Sequence, residues 1–193
     1  LIDSNDNWES HERAASIRQD LKPNRASEAA ISTTLEPGAY TAIVRGVGET
    51  TGVGIVEIFE VSDTGTTRLI NIATRGFVGS PPDVLIGGLI ITGTANKTVT
   101  IRARGPSLVD ADPNLTGLLE DPFIQLFSGA TLIDSNDNWE SHESANILRT
   151  DLRPTRASEA VITKSLAPGA YTAVVQGVGS TSGIAIVEVF EID

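Results

Sequence analysis

The sequence predicts an all-β fold, an antiparallel sandwich or barrel with one short helix per repeat. Three observations lead there. Short β-branched runs are broken throughout by Gly, Pro, Asn and Asp, the punctuation of antiparallel sheets. The stretch "KTVTIRAR" (97–104) alternates Val99, Ile101 and Ala103 with Thr98, Thr100, Arg102 and Arg104, the period of a strand with one apolar and one polar face. Residues 1–62 also align with 132–193 without a gap, 41 of 62 pairs being identical. The exchanges between the copies, such as Ile43/Val174, Val53/Ile184, Ile58/Val189 and Val61/Ile192, trade one β-branched residue for another, as packed strand positions do.

The chain therefore has the order A (1–62), B (63–131) and A′ (132–193). The duplication is longer than the ~20–50 residues of solenoid repeats, so the repeated object is domain-sized. A begins with "LIDSNDNWESHE", which returns unchanged at 132–143. Next comes the helical candidate "SHERAASIRQDL", with Ala14, Ile17 and Leu21 at i, i+3 and i+7 and Pro23 to end it. Its partner in A′ has Ala145, Leu148, Leu152 and Pro154. Strand patterns follow over 29–61 in A and over 160–166, 170–176 and 183–192 in A′, joined by "LAPG" (166–169) and "GVGSTSG" (177–183). In B the strands are expected at 69–77, 84–92, 97–104 and 122–127, with the polar face of 97–104 open to solvent. The domain expectation is a partial half-unit at 1–62 and a complete sandwich unit at 63–193.

Composition bounds the function. The chain of 193 residues is 40% apolar, enough for a buried core, and carries 25 acidic against 14 basic residues for a net charge of −11. That charge repels phosphate backbones and anionic lipid, so neither nucleic acid nor membrane insertion is expected. The longest apolar run, "VLIGGLIITG" (84–93), is about half of the ~20 residues that span a bilayer. Acidity is uneven: A holds 10 acidic and 5 basic residues, B 6 and 5, A′ 9 and 4, giving −5, −1 and −5. With no cysteine there are no disulfides or thiolate metal sites. The absence of Met and of a charged-then-apolar leader before Leu1 leads us to expect a piece of a longer precursor, cut within a fold.

The segments "RLINIATRGFVG", "DVLIGGLIITG", "TVTIRARGPSL", "DPFIQLFSGATLIDSNDNW" and "LAPGAYTAVVQGVGSTSGIAIVEVFEID" together resemble a unit found in tandem in large secreted bacterial proteins. The second half is also similar to bacterial pre-peptidase C-terminal domains, small jelly-roll-like β-sandwiches appended to exported proteins. The resemblance covers 68–193 as one unit and 1–62 as the tail of another. It implies a jelly-roll-like sandwich, an extracellular or cell-surface location and a structural or binding role, and it supplies no catalytic residues.

Several motifs carry candidate chemistry. "DSNDN" packs carboxylate and amide oxygens that a calcium ion could use, with Asp3, Asn5 and Asp6 in one copy, Asp134, Asn136 and Asp137 in the other, and Glu140 in reserve. An EF-hand is excluded, because counting from Asp134 the sixth position is Trp139 and the twelfth Ala145. The alternative is an Asx-rich turn capping its own backbone. Trp8 and Trp139, at equivalent places, either plug a sandwich core or stack on a sugar ring. His11 and His142 start the helical segments and lie too far apart in sequence for a zinc site unless the halves meet. "GVGETTG" (46–52) joins two strands and has no lysine, so it reads as a hairpin connection and not a phosphate loop. "NKT" (96–98) is a formal glycosylation sequon in a turn. No Ser, His and acid set stands out.

If B and A′ make a complete sandwich, A lacks the strands B would supply. They could come from a preceding B, from a neighbouring subunit by strand addition, or from A and A′ sharing one B. The expected function is thus non-enzymatic: an extracellular β-sandwich repeat subunit associating with itself end to end, in a filament or surface array. The alternative is a carbohydrate-binding or adhesive module of a secreted protein, and a hydrolase with dispersed carboxylates is a remote third.

Overall fold

Alternating β-branched residues place two four-stranded antiparallel sheets within residues 70–193. The computed structural model describes residues 1–61 and 67–192 and resolves two compact units, Leu1–Leu69 and Ile70–Asp193. The boundary expected between 62 and 63 lies outside the described residues.

The strands of unit 2 are β1 (Asn71–Val78), β2 (Leu85–Ile91), β3 (Lys97–Arg104), β4 (Pro122–Ser128), β5 (Thr131–Asn136), β6 (Ala160–Leu166), β7 (Gly169–Gly177) and β8 (Gly183–Glu191). One sheet has the order β1-β8-β3-β6 and the other β2-β7-β4-β5. In both, strands of B (β1 to β4) alternate strictly with strands of A′ (β5 to β8). No two A′ strands are neighbours. β3 shows the consequence: Ile101 faces Ile162 of β6 on one side and Val189 of β8 on the other.

The inner faces form one core, with Ile101, Ala103, Ile162 and Val187 from the first sheet against Ile124, Leu126, Ala173 and Val175 from the second. Leu119, on the loop before β4, closes this core and is fully buried. That loop is pinned by Leu119 N–H to Ile184 O at 2.9 Å and Ile184 N–H to Gly117 O at 2.8 Å. A smaller cluster lies on the outer face of the first sheet, where Leu148 and Leu152 pack with Val161, Trp139, Phe190 and Ile192. The strap that follows β5 therefore covers the polar face of β3, which was expected to meet solvent. Thr100 is buried and shares a 2.9 Å hydrogen bond with Thr163.

Two further expectations are corrected. The helical segment is not an α-helix: unit 1 has single 3-10 turns at Trp8–Ser10, Ala14–Ser16 and Gln19–Leu21, and unit 2 at Trp139–Ser141, Glu143–Asn146 and Thr150–Leu152. Local hydrogen bonding defeats the helical spacing, since Ser10 Oγ and Ser16 Oγ donate to the carbonyls of Asn7 and Arg13. "TLIDSN", which was not among the expected strands and whose last three residues belong to the "DSNDN" stretch read as a turn or calcium ligands, is β5, paired to β4 through a register shift between Leu126 and Phe127.

Unit 1 departs further. Residues 29–61 share the sequence of β6, β7 and β8 but form no ladder among the described residues. The alternation in unit 2 supplies the reason: each A-type strand is held only by B strands, so the half alone has nothing to pair with. Its would-be core side chains face solvent, Ile31 at 47% and Val44 at 66% exposure where their counterparts Ile162 and Val175 have none.

Candidate functional site

Several hydrogen bonds of the "DSNDN" stretch recur in both units because they are internal to the repeat, although only in unit 2 does its first half also pair as a strand with β4. Asn5 Oδ1 accepts from Ala30 N–H at 2.9 Å and Asn136 Oδ1 from Val161 N–H at 2.8 Å. Trp8 N–H donates to Glu28 O and Trp139 N–H to Glu159 O, both at 2.9 Å. Asn5 Nδ2 and Asn136 Nδ2 reach the carbonyls of Asn7 and Asn138. The stretch is a clamp that fastens the chain to a segment 25 residues further on.

Asp134 of β5 stands at the centre of a polar network that links this edge strand of the second sheet to β6, an edge strand of the first. Its Oδ1 accepts from Ser135 N–H at 2.9 Å and meets His142 Nε2 at 3.1 Å, and its Oδ2 accepts from Lys164 Nζ at 2.8 Å. His142 Nδ1 accepts from Ser144 N–H at 3.2 Å, which assigns the ring proton to Nε2 and makes the imidazole the donor to Asp134. Ser144 Oγ in turn lies 2.7 Å from Nδ1 and accepts from Thr163 N–H at 3.0 Å. Burial opposes the charge on Asp134, but the Lys164 and His142 hydrogen bonds outweigh it and hold the carboxyl below its ordinary range.

Asp134, His142 and Ser144 are thus connected as in a nucleophilic triad, a set that spacing alone did not reveal. Ser144 is buried with its oxygen committed to Thr163, so the arrangement serves to lock the strap onto β6. Unit 1 repeats the network without its serine: His11 Nε2 lies 2.9 Å from Asp3 Oδ1 and Arg13 N–H donates to His11 Nδ1 at 3.2 Å, but Arg13 stands where Ser144 does.

For calcium, the geometry engages Asp134 and Asn136 with protein donors. Asp6 also bonds within its own turn, accepting from Asn7 Nδ2 at 2.8 Å. Asp121 Oδ1 is buried without a hydrogen-bond partner, and burial, with the negative charge of Asp137 added, raises its pKa. Among the described residues no group of three or more His, Asp or Glu could hold a metal ion. Trp139 packs in the smaller apolar cluster with its Nε1 buried, and Lys22 Nζ sits 5.8 Å from the Trp8 ring.

A second charged cluster was also missed. Glu188 of β8 is buried between Arg102 and Arg104 of β3, with Nε to Oε2 distances of 2.7 and 2.8 Å. Arg102 also donates to Leu152 O and lies 5.0 Å from the Phe190 ring centre. Burial again opposes the Glu188 charge, and the two guanidinium groups overcome it, keeping the carboxyl below its ordinary range. The only available signal was Arg at alternate positions in "TIRAR" and Glu in "VEVFE", which cannot show that the two strands are neighbours.

Among solved structures, the pre-peptidase C-terminal domain of collagenase from Bacillus anthracis is similar to this chain, at 9% identity and TM-score 0.38, covering 62% of this chain and 89% of that one. No protein-family model and no curated protein matches the chain.

Proposed function

We propose that the protein is a non-enzymatic, extracellular structural module, a β-sandwich repeat subunit that associates end to end through its open half. The observation that carries this reading is the strict alternation of A′ and B strands in unit 2, beside a unit 1 that has the A strands alone and exposes their apolar residues. Ile43, Val44, Val47, Val53 and Ile55 are all more than half exposed, apolar surface that association would cover. Extracellular placement rests on the resemblance of the repeat to tandem units of secreted bacterial proteins.

Sedimentation velocity over a concentration series, with electron microscopy of the same material, tests the proposal. Concentration-dependent growth into linear particles is expected, and Val44→Asp with Ile55→Asp should return them to monomers. A monomer at every concentration would overturn end-to-end association.

A further inference from the structure

We infer that β2 is a second association surface, an open sheet edge that pairs antiparallel with β2 of another copy of this chain about a two-fold axis through Gly88. The contact lies in unit 2 and is separate from the end-to-end contact proposed for unit 1.

The four edges of the sandwich are β1 and β6 in one sheet and β2 and β5 in the other. An edge strand presents a row of unpaired N–H and C=O groups, and charges, bulges or covering segments keep other chains off it. β6 is covered: its Val161 and Thr163 N–H groups donate to Asn136 Oδ1 at 2.8 Å and to Ser144 Oγ at 3.0 Å. β5 carries Asp134, tied to Lys164, and meets β4 through a register shift. β1 carries Arg75 in mid-strand. β2 has none of these devices. Its seven residues include no charge and no proline, its ladder to β7 runs without a shift, and among the described residues no loop or side chain bonds its outer edge.

The side chains fit a like strand. Ile86, at 54% exposure, and Ile90, at 72%, stand on the outer face of the sheet with Gly88 between them, where an added Cβ would meet nothing within 4 Å. Leu89 and Ile91 pack against the core yet stay half-buried. A two-fold axis perpendicular to the sheet keeps outer residues opposite outer ones and inner opposite inner. Centred on Gly88, the axis overlaps all seven residues and sets Ile86 opposite the other copy's Ile90, Leu85 opposite Ile91 and Gly87 opposite Leu89. Moving the axis by one residue sets one isoleucine opposite Gly88 and leaves the other beyond the end of the facing strand.

Charge favours the same occupant. Segments A and A′ carry −5 each, whereas B, which supplies β2, carries −1, so two copies meet here with the least repulsion. One pair of seven-residue strands is small beside the ~1,000 Å2 that lasting association needs. The contact therefore holds free chains briefly and gains strength where linear assemblies lie side by side.

The full chain has no cysteine, so Gly88→Cys introduces a single thiol, opposite its own copy in the pair. Mild oxidation or a short bis-maleimide should link this variant into dimers on the order of tenfold faster than Ile147→Cys, an exposed control on the strap. Adding Ile86→Lys with Ile90→Lys sets like charges opposite each other and should abolish the excess. Adding Ile86→Lys with Ile90→Glu sets opposite charges there and should restore it. All these positions are exposed, so unit 2 stays folded. Linking no faster than the control with either reagent, or equal linking in the two charged backgrounds, overturns the inference. Linking should persist when Val44→Asp and Ile55→Asp are added, because β2 lies in unit 2. Linking without linear particles refutes end-to-end association alone, and linear particles without linking refute the β2 pair alone.

Discussion

Arg102 Nε lies 2.7 Å from Glu188 Oε2 across the β3–β8 ladder, a pair that joins the unrepeated segment to the repeated one. Glu188 is 7% exposed and needs both arginines to remain charged at that burial. Removing it leaves two guanidinium groups under the strap without their counter-ion. Glu188→Ala should cost unit 2 about 3–5 kcal/mol, the range for breaking a buried pair. Its repeat counterpart is exposed, so Glu57→Ala should change stability by less than about 0.5 kcal/mol. Urea unfolding of the two variants measures both, and equal effects would show that Glu57 is already paired.

The repeat permits the same comparison in the core. Ile162 is fully buried between the sheets, and Ile31 at the equivalent position is 47% exposed. Ile162→Ala should destabilise unit 2 by about 2–5 kcal/mol through lost burial and the cavity left behind. Ile31→Ala should cost less than about 0.5 kcal/mol in the isolated chain. If association covers unit 1, that second value should rise toward the first.

The Asn clamp should matter in both units, because its bonds do not depend on B. Asn136→Ala and Asn5→Ala each strip the acceptor from a backbone N–H, at Val161 and Ala30; the buried Val161 donor should cost about 1–3 kcal/mol and the half-buried Ala30 donor less. Faster amide exchange at Val161 and Ala30 reads out each loss.

Calcium can be judged at the same loop. To ligate the ion, Asp134 and Asn136 would have to release Lys164, His142 and Val161, so added Ca2+ should leave the melting temperature unchanged. A rise in melting temperature that Asp137→Asn removes would establish the loop as a calcium site.

Acid should loosen unit 2. Glu188 and Asp134 both have folded-state pKa values below their ordinary 4.5 and 3.8. The stability they contribute is present above those ordinary values and is lost as pH falls through the lower folded ones. Asp121 runs the other way, since its raised pKa makes the charged form unfavourable in the folded state at neutral pH. Asp121→Asn should therefore raise the neutral-pH melting temperature and lose that advantage below about pH 4. Thermal melts between pH 7 and 2 separate the two effects.

Much of the ladder was legible in the residues. β3 and β6 fall at their expected bounds, and the other expected strands in unit 2 shift by one or two residues at one or both ends. β5 was hidden because its polar letters, Asp134, Ser135 and Asn136, are those of a turn, and only pairing with β4 makes them a strand. The helical spacing of Ala14, Ile17 and Leu21 misled because the Ser10 and Ser16 hydroxyls tie up nearby backbone carbonyls. The Asp134–His142–Ser144 network was hidden for a different reason. Its connections to Lys164 and Thr163 cross from β5 and from the strap to β6, a relation that spacing along the chain does not carry.

The amino-acid sequence by itself determined the duplication, the all-β class and the clamp around "DSNDN", whose hydrogen bonds span no more than 25 residues and form in both copies. Only the tertiary structure decided which copy becomes a sheet. The same letters make β6, β7 and β8 where B strands lie between them and no ladder where none does, because a strand's hydrogen bonds belong to its neighbours.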